Sequence, residues 1–395
     1  MKALGEVRVL DLTRALAGPY CSMMLGDYGA DIIKIELPGT GDDTRHWGPP
    51  YIGEESAYFL SVNRNKRSMT LNLKHPQGKD IFFDLAKRSD VILENFTPGV
   101  VSRLGIDYAT VRGVNPSIVY CSISGFGQTG PYKGKSAYDQ VMQGISGVMS
   151  LTGDPDGHPI KVGIALTDIG AGMLAAFAIV TALHHSNLKG SGQYIDISML
   201  DLQASWLTYQ AGYYFATGSP PNRVGTAHPT LAPYQTFTDQ DGKTFNVAIG
   251  SERLWTNFCK AMKREDLANA PEYATNSQRV KNRFSLERTL QTEFDKKPVS
   301  FWIQTLEHEG IPCGPINSVV DVFNDPQVNA RDMVIEIQHP TLGAIKQTGI
   351  PIKFSDTKGR IDRHPPLLGE HTSEILMDLG FSAAKIKTLK KEQVI

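Results

Sequence analysis

Short apolar runs alternate with helix-like stretches through the first third of the chain. The predicted strands are residues 7–13, 30–36, 68–73, 90–95 and 117–124, which have the length and β-branched content of buried strands. Residues 19–27 and 77–87 have helical spacing, and Pro19 suits the first turn of a helix. Repeated alternation of strand and helix predicts an α/β fold with a doubly wound parallel sheet.

A longer apolar run, residues 173–183, predicts a buried helix, and Asp168 stands shortly before it. A helix amino terminus favours a nearby negative charge, so we expect a lowered pKa and an ionised Asp168. The small residues Gly170, Ala171 and Gly172 leave space for a ligand. Two interpretations stay open, a nucleophilic carboxylate and a plain helix cap.

The second half of the chain changes character after a helical stretch at 203–217. Residues 218–225 have linker composition, and the segments 234–238 and 244–249 flank Asp241-Gly242, a hairpin signal. We therefore predict a first large domain over 1–217, a smaller α+β domain over 226–325, a linker over 326–355 and a final segment over 356–395.

Composition and charge exclude several classes of protein. The 395 residues include 40 basic and 41 acidic side chains, which favours no nucleic-acid or membrane-surface partner. The four cysteines stand far apart, at neither metal-ligand nor redox spacing, so we expect reduced thiols and a cytoplasmic protein. The amino terminus resembles neither a secretory nor a transit segment, and the apolar run at 169–183 is too short to span a bilayer. No metal site is predicted.

One motif is typical of a different kind of site, one that binds a dinucleotide. Gly125-Phe-Gly127-Gln-Thr-Gly130 matches the dinucleotide-binding pattern and follows a predicted strand. A helix should open directly after it, and an acidic residue should end a strand about twenty positions later. Instead Pro131 begins loop sequence, so we interpret the motif as a glycine-rich turn that allows close approach of a ligand. The chain also lacks a Gly-x-Ser-x-Gly nucleophile motif.

Several separated segments together resemble the family III CoA-transferases, the group that includes formyl-CoA transferase and the carnitine CoA-transferase. They occur in the family's order along nearly the whole chain: 9–13 with 17–19, 29–36, 65–68, 94–99, 122–131, 310–315 and 366–372. The resemblance implies a Rossmann-like large domain whose parallel sheet is built from both chain ends, a small domain between them, and an interlocked homodimer.

Asp168 falls where this family carries its nucleophile. The implied reaction moves CoA from an acyl-CoA to a small carboxylic acid through an aspartyl anhydride and an aspartyl-CoA thioester, with no tightly bound cofactor. Backbone donors at Gly170–Gly172 would stabilise the oxyanion. The positions that match the CoA-binding places of the relatives are Ala15, Leu16, Leu71, Lys74, Asn95, Phe96, Thr97, Arg103 and Tyr138. Without the resemblance, Lys74 and Arg103 would be ordinary surface charges, and Tyr138 could be a core tyrosine.

Departures from the family pattern narrow the range of substrates that we expect. Formyl-CoA transferase has glutamine at the position of Leu16, arginine at that of Leu37, and a glycine-rich flap where this chain has residues 250–255. The segments 227–229, 233–235 and 250–253 are more similar to members that use succinyl-CoA, and His228 or Arg253 could meet a second carboxylate.

Two alternatives stay open within the resemblance. The 2-methylacyl-CoA racemases of the family pair the aspartate with a histidine, for which this chain has Tyr138. A tyrosine, with an ordinary pKa near 10, is a poor base at neutral pH. The second alternative is a CoA-binding protein without catalytic activity.

Overall fold

The computed structural model describes residues 2–395, and the chain divides into two compact units. Unit 1 contains the residues up to Val148, then Lys161–Ala211 and Gln327–Ile395. Unit 2 contains Met149–Ile160 and Gly212–Pro326. Unit 2 therefore begins before the predicted linker at 218–225 and includes a short segment from earlier in the chain.

Strands and helices alternate in unit 1 as the sequence pattern indicates. The strands of the chain are β1 (Arg8–Asp11), β2 (Asp31–Glu36), β3 (Tyr51–Ile52), β4 (Glu55–Ser56), β5 (Lys66–Thr70), β6 (Val91–Glu94), β7 (Val119–Ser124), β8 (Tyr194–Ser198), β9 (Tyr234–Thr238), β10 (Thr244–Ala248), β11 (Cys313–Pro315), β12 (Val334–His339) and β13 (Gly343–Thr348). Short 3₁₀ turns occur at Asp43–His46 and Pro271–Tyr273.

The helices of unit 1 lie mainly between the strands of its sheet. The helices up to residue 217 are α1 (Ala17–Asp27), α2 (Ala57–Val62), α3 (Pro76–Ala86), α4 (Val100–Leu104), α5 (Tyr108–Val114), α6 (Asp139–Ile145), α7 (Val148–Leu151), α8 (Leu166–Lys189), α9 (Met199–Trp206) and α10 (Thr208–Thr217). The later helices are α11 (Glu252–Ala261), α12 (Glu265–Asn269), α13 (Asn276–Lys281), α14 (Arg283–Phe294), α15 (Val299–His308), α16 (Val319–Asn324), α17 (Pro326–Ala330), α18 (Thr372–Asp378) and α19 (Ala383–Lys391).

A six-stranded parallel sheet forms the centre of unit 1, in the order β5-β2-β1-β6-β7-β8. The chain builds outward from β1 in one direction and then returns to begin the other half at β6. This is the doubly wound strand order, and the parallel α/β fold predicted from the sequence is confirmed. The reversal leaves a crevice at the carboxyl ends of β1 and β6, where ligands bind in folds of this kind.

Helices cover both faces of the sheet. On one face, α1 and α8 pack through Cys21, Leu25, Ala175 and Ile179. On the other face α3 and α5 pack together with α18 and α19 from the carboxyl terminus. Unit 1 is built from both chain ends, as expected, because residues 327–395 return to it, while every strand of this sheet lies between residues 8 and 198.

Helix α8 is longer than the apolar run that predicted it, because the helix starts at Leu166 and continues through the polar residues after Leu183 to Lys189. By length and apolar composition alone, α8 could cross a membrane. Half of its apolar window is buried in unit 1, as is usual for the core helix of a globular unit. The expectation of a run too short to span a bilayer is therefore wrong for the whole helix, which has 24 residues and packs one side into the core.

Unit 2 has its own sheet and core. Strands β9 and β10 form the predicted antiparallel hairpin, and β11 extends the sheet. Its core is rich in aromatic side chains, among them Phe245, Phe258 and Phe294. The segment 326–355, predicted as a linker, contains the antiparallel hairpin of β12 and β13 and belongs to unit 1.

Candidate active site

A cavity of about 290 Å³ lies at the switch point of the sheet. It is lined by the segments that follow β1, β2, β5 and β6, and it includes three predicted CoA-binding residues, Leu71, Lys74 and Phe96. Arg14 also lines it, and the guanidinium of Arg14 lies 5.6 Å from the centre of the Phe96 ring. The cavity therefore offers apolar walls with cations at its margin, a combination suited to a ligand with a ring and phosphates.

The side chain of Asn95 joins two of these segments. Its Oδ1 accepts a hydrogen bond from the Arg14 N–H at 2.9 Å, and its Nδ2 donates to the Arg14 carbonyl oxygen at 2.8 Å. Both functional atoms of the amide are thus occupied by the loop after β1. Asn95 shapes the cavity by clamping Arg14, whereas the resemblance had suggested a direct contact with CoA.

Lys74, Thr97 and Arg103 are exposed near this edge of the sheet. Within residues 2–395 neither Lys74 nor Arg103 forms an ion pair, and Arg103 lies on α4, directly after the left-handed turn at Gly99. Unpaired cations beside a ligand cavity are available to phosphate groups. The structure therefore brings the predicted cations to the same edge as the cavity.

The loop after β1 is anchored by two fully buried charged side chains, Lys34 and Asp42. Lys34 Nζ donates to the Thr13 carbonyl oxygen and to Asp42 Oδ2, both at 2.8 Å. Asp42 Oδ1 accepts from the N–H of Ala15 at 3.2 Å. Ala15 has a φ of 63°, in the left-handed region that costs free energy for a residue with a side chain. The Lys34–Asp42 pair stabilises this conformation, which the sequence alone did not indicate.

Leu16 connects this loop to the beginning of α8. It is buried in a small apolar cluster with Met23 and Val62, against which Ala165 and Ile169 also pack. The residues on either side of Asp168 in the chain therefore touch the same cluster as the loop that borders the cavity. This places Leu16 beside the first turn of α8.

Asp168 is the third residue of α8, whose N-cap is Ala165. The capping interpretation is therefore wrong for Asp168. The side chain is half-buried and, within residues 2–395, its carboxylate makes no hydrogen bond or ion pair. Burial, and then the negative charge of Asp139, raise the pKa of Asp168 to about 7. The expected lowering of this pKa is wrong, because loss of hydration and a like charge outweigh the helix terminus.

Three side chains near Asp168 were not found by sequence reasoning. Asp139 Oδ1 accepts from the Thr167 N–H at 2.8 Å and so caps α8 from a distance of 28 residues in the chain. Tyr58 lies within electrostatic reach of Asp168, and burial together with that charge raises the pKa of Tyr58 to about 12. The ring of Trp47 meets Tyr58 edge to face at 5.2 Å. The resemblance placed the Tyr138-Asp139 pair opposite Asp168 but gave Asp139 no role, and no sequence signal marks Trp47 or Tyr58.

The small residues after Asp168 have a different role from the one expected. A Cβ at Gly170 would lie 2.0 Å from the Trp206 ring, and a Cβ at Gly172 would lie 2.5 Å from the Ala17 carbonyl oxygen. The space is therefore filled by α9 and α1. Both glycines also lie inside α8, where their N–H groups belong to the helical hydrogen-bond pattern. The predicted oxyanion donors at Gly170 and Gly172 are wrong for this reason.

Tyr138 immediately precedes α6 and is 70% exposed. A core role for this tyrosine is excluded by its exposure. The structure leaves it accessible to a ligand.

The two candidate substrate residues both lie in unit 2. Burial and the nearby Arg283 lower the pKa of His228, and its Nδ1 accepts from the Thr230 N–H at 3.2 Å. His228 is therefore neutral at pH 7 and is not the cation that a second carboxylate needs. Arg253 is exposed on the first turn of α11 and, within residues 2–395, forms no ion pair. Arg253 is thus the stronger of the two candidates.

Metal ligands are not clustered in the part of the chain that the structure describes. No group of three or more His, Cys, Asp or Glu side chains in residues 2–395 is arranged to hold a metal ion. Cys21, Cys121 and Cys259 are buried free thiols, and Cys313 is half-buried.

The fold and the site define an α/β protein with a ligand cavity at the switch point of its sheet and an unpartnered carboxylate at the start of a core helix. The model of CoA-transferase family III matches residues 4–372. The chain is 42% identical over 379 residues to the human succinyl-CoA:glutarate CoA-transferase, covering 96% of this chain and 86% of that protein. It is 40% identical over 392 residues to the succinyl-CoA:mesaconate CoA-transferase of Haloarcula marismortui, with 96% and 97% covered.

A solved structure agrees with these sequence comparisons. The crystal structure of a CAIB/BAIF family protein from Brucella suis superposes with a TM-score of 0.86 at 40% identity, covering 96% of this chain and 99% of that one. The chain belongs to CoA-transferase family III and is a CoA-transferase. Acyl-CoA thioesters are accordingly its substrates.

Proposed function

We propose that the protein transfers CoA from succinyl-CoA to a small dicarboxylic acid, with Asp168 as the covalent nucleophile. The observation that carries the proposal is the carboxylate of Asp168, which is accessible, has a pKa raised to about 7 and has no hydrogen-bond partner within residues 2–395. A carboxylate with fewer hydrogen bonds is a stronger base and a better nucleophile than a fully hydrated one.

The proposed reaction has two symmetrical halves. The ionised Asp168 attacks the thioester carbonyl of the donor, forms a mixed anhydride and expels CoA thiolate. The thiolate then attacks the aspartyl carbonyl carbon, which gives an aspartyl-CoA thioester and releases the donor acid. The acceptor carboxylate attacks this thioester to form a second anhydride, and CoA thiolate attacks the acceptor's acyl carbon. The new acyl-CoA leaves and Asp168 is regenerated as a carboxylate, so no proton, electron or cofactor is consumed.

The cavity at the switch point supports the assignment of the CoA end of the substrate. Leu71 and Phe96 provide apolar contact for the adenine ring, and Lys74 and Arg103 provide cations for its phosphates. The loop held by Asp42, with Ala15 and Leu16, borders the thioester. Exposed Tyr138 and Thr97 complete the proposed contacts.

The donor assignment is supported by the relatives, since both named above are succinyl-CoA-dependent and differ in the acceptor acid. Succinyl-CoA carries a free carboxylate at the far end of its acyl group. We propose Arg253 as the cation for that charge, because an unpaired guanidinium can bind a carboxylate through two parallel hydrogen bonds.

A hydroxylamine experiment tests the nucleophile. During turnover of succinyl-CoA with glutarate, hydroxylamine should convert residue 168 to a hydroxamate, which mass spectrometry of the α8 peptide would identify. Asp168→Asn should show no hydroxamate and no transfer while still binding CoA. A turnover rate in Asp168→Asn within about tenfold of the parent would end the covalent mechanism, because loss of a nucleophile costs several orders of magnitude.

A substrate panel tests the donor and acceptor. Succinyl-CoA and acetyl-CoA would each be assayed with glutarate, mesaconate, malate, oxalate and acetate, and kcat/KM compared. We expect succinyl-CoA with a dicarboxylate to exceed every monocarboxylic pair by at least about tenfold, or about 1.4 kcal/mol of transition-state preference. The reverse order would leave the transferase activity intact and refute the dicarboxylate assignment.

We also propose that the protein is a homodimer. Helix α8 exposes apolar side chains at helical spacing, Met173, Phe177, Val180 and Leu188, and Phe177 is 71% exposed. Such a stripe on a helix is unfavourable in water and fits a second copy of the chain. Light scattering should give twice the 43.4 kDa chain mass, and Phe177→Glu should shift the protein toward the monomer. A parent protein that is monomeric at micromolar concentration would refute this proposal.

A further inference from the structure

Helix α9 contacts the first turn of α8 on both sides of Asp168. Gln203 Nε2 donates to Thr167 Oγ1 at 2.8 Å, one residue before the carboxylate. Three residues further along α9, the Trp206 ring fills the place that a Cβ at Gly170 would occupy. The two contacted residues are three apart on α8, and the two contacting residues are three apart on α9. Both contacts therefore lie on one face of α9. The backbone that carries Asp168 is therefore held at residues 167 and 170.

Gln203 is itself fixed by a second hydrogen bond. Its Oε1 accepts from Ser146 Oγ at 2.7 Å, at the carboxyl end of α6. Thr167 and Gln203 are completely buried, and Ser146 is nearly so. A buried amide without partners costs free energy, so the two bonds define one orientation of this side chain. Gln203 thus connects the end of α6 to the Thr167 hydroxyl through two hydrogen bonds.

The N–H of Thr167 is held from the same helix α6. Asp139 accepts this N–H at 2.8 Å and accepts from Gln143 Nε2 at 2.7 Å. Gln143 Oε1 in turn accepts from the Val162 N–H at 2.9 Å, in the segment that leads into α8. Both the side chain and the backbone of Thr167 are therefore fixed by polar side chains, Gln203 on α9 and Asp139 on α6.

These hydrogen bonds to Thr167 are more than α8 needs in order to stay folded and packed. A 24-residue helix is stabilised by its apolar face, and an apolar side chain at 203 would fill the same space without desolvating an amide. The free end of a helix is the part that frays. Because the Asp168 carboxylate has no hydrogen-bond partner of its own in the described residues, its direction depends on the position of its backbone and on the packing around it.

We propose that Gln203 is a positioning residue for transfer, acting on Asp168 through the Thr167 hydroxyl. The proposal rests on the proposed function, in which Asp168 is the nucleophile. Loss of the Gln203–Thr167 bond would loosen the first turn and misdirect the attack on the thioester. Misplacement of a reacting group by about 1 Å lowers a rate by about 100-fold. The CoA cavity is formed by other segments, so binding of acyl-CoA should be unaffected.

Four variants test this: Thr167→Val, Thr167→Ser, Gln203→Leu and the double variant Thr167→Val/Gln203→Leu. Thr167→Val and Gln203→Leu should each lower kcat by about 100-fold with KM for succinyl-CoA within about twofold. Thr167→Ser keeps the hydroxyl and should retain kcat within about threefold. The double variant should be no slower than the slower single variant, because both remove one bond. Thr292→Val, which removes an exposed hydroxyl that donates to the Arg288 carbonyl oxygen on α14, is the matched control and should behave as the parent.

Circular dichroism and Tm would be recorded for every variant, so that loss of fold is separated from loss of rate. A purely structural role predicts a lower Tm with kcat unchanged well below the transition, and that result would overturn the proposal. Equal losses in Thr167→Ser and Thr167→Val would overturn it as well. Asp168→Asn is measured in parallel. If it retains transfer, the proposed function fails; if it is inactive while Gln203→Leu and Thr167→Val keep the parent kcat, only the positioning role fails.

Discussion

Asp139 and Asp168 are two carboxylates at the same end of unit 1, and burial together with the charge of Asp139 raises the pKa of Asp168 to about 7. Asp139 serves the site twice, since it also accepts the Thr167 N–H that begins α8. Its like charge keeps Asp168 basic, and its hydrogen bond fixes the backbone beside it. The two effects can be separated experimentally.

The rate of transfer should depend on pH through Asp168. Only the ionised carboxylate attacks, so kcat/KM should rise with pH through about 7 and level off above it. In Asp139→Asn the amide oxygen can still accept from the Thr167 N–H, although the bond from Gln143 Nε2 is lost, and the like charge is gone. The rising limb should therefore move to lower pH. Profiles measured from about pH 5 to about pH 9 would show this, with Asp84→Asn, an exposed acid on α3, as the control. An unmoved limb in Asp139→Asn would show that Asp139 does not set the pKa of Asp168.

Asp168 should also make the protein less stable at neutral pH. Its folded-state pKa of about 7 lies above the ordinary value of 3.8. The stability associated with its protonated form is fully present below pH 3.8 and is lost as the pH rises through about 7. Asp168→Asn cannot ionise, so its Tm should exceed that of the parent by a few degrees above neutral pH, and the difference should shrink toward pH 4. Thermal melts at two pH values would decide the matter, and a difference independent of pH would contradict the argument.

The two cations at the cavity should act on binding alone. Lys74→Ala and Arg103→Ala should each raise KM for succinyl-CoA by roughly tenfold and leave kcat nearly unchanged, because the phosphates lie far from the reacting carbonyl. The effect should weaken as salt is added. Lys281→Ala, an exposed lysine of unit 2, is the control. A fall in kcat with constant KM would place these cations in the chemical step and contradict the assignment.

The proposed roles of Arg253 and His228 differ in their charge. Arg253→Met should lower kcat/KM for succinyl-CoA by about tenfold or more and leave acetyl-CoA nearly unaffected. His228→Asn should have a smaller effect, because the imidazole is already neutral at pH 7. Arg288→Met, an exposed arginine on α14, serves as control. Equal losses for both donors in Arg253→Met would mean that this arginine does not bind the distal carboxylate.

The sequence predicted the elements whose signal is local. Strands β1, β2, β6 and β7 are buried and mainly apolar because helices cover them on both faces. Strand β8 was missed because it lies at the sheet edge, where Tyr194 and Asp196 are exposed and interrupt the apolar pattern. The hairpin of β12 and β13 was missed because its residues are mostly exposed and resemble a linker.

The residues of the candidate site were also predicted where the sequence signal is local and missed where it depends on contacts formed by folding. Asp168 was found because a conspicuous helix follows it and because its surroundings resemble a known motif. The direction of its pKa shift was wrong, since burial and Asp139 depend on residues brought together only by folding. Asp42, Tyr58 and Gln203 act through contacts across 27 or more residues, and no periodicity or spacing marks them.

Helix α8 carries Asp168, the proposed nucleophile, on its first turn and packs into the core along its remaining turns. Local opening of a protein begins in segments with few buried contacts and reaches core helices last. The exposed side chains of Lys74, Thr97 and Arg103, which we propose contact CoA, have few contacts and can fluctuate as the ligand is exchanged. Asp168 lies on a core helix, which opens last. Such fluctuations therefore displace Asp168 only in rare openings of the core. The enzyme can thus exchange a large, flexible ligand many times while the reacting group keeps its place.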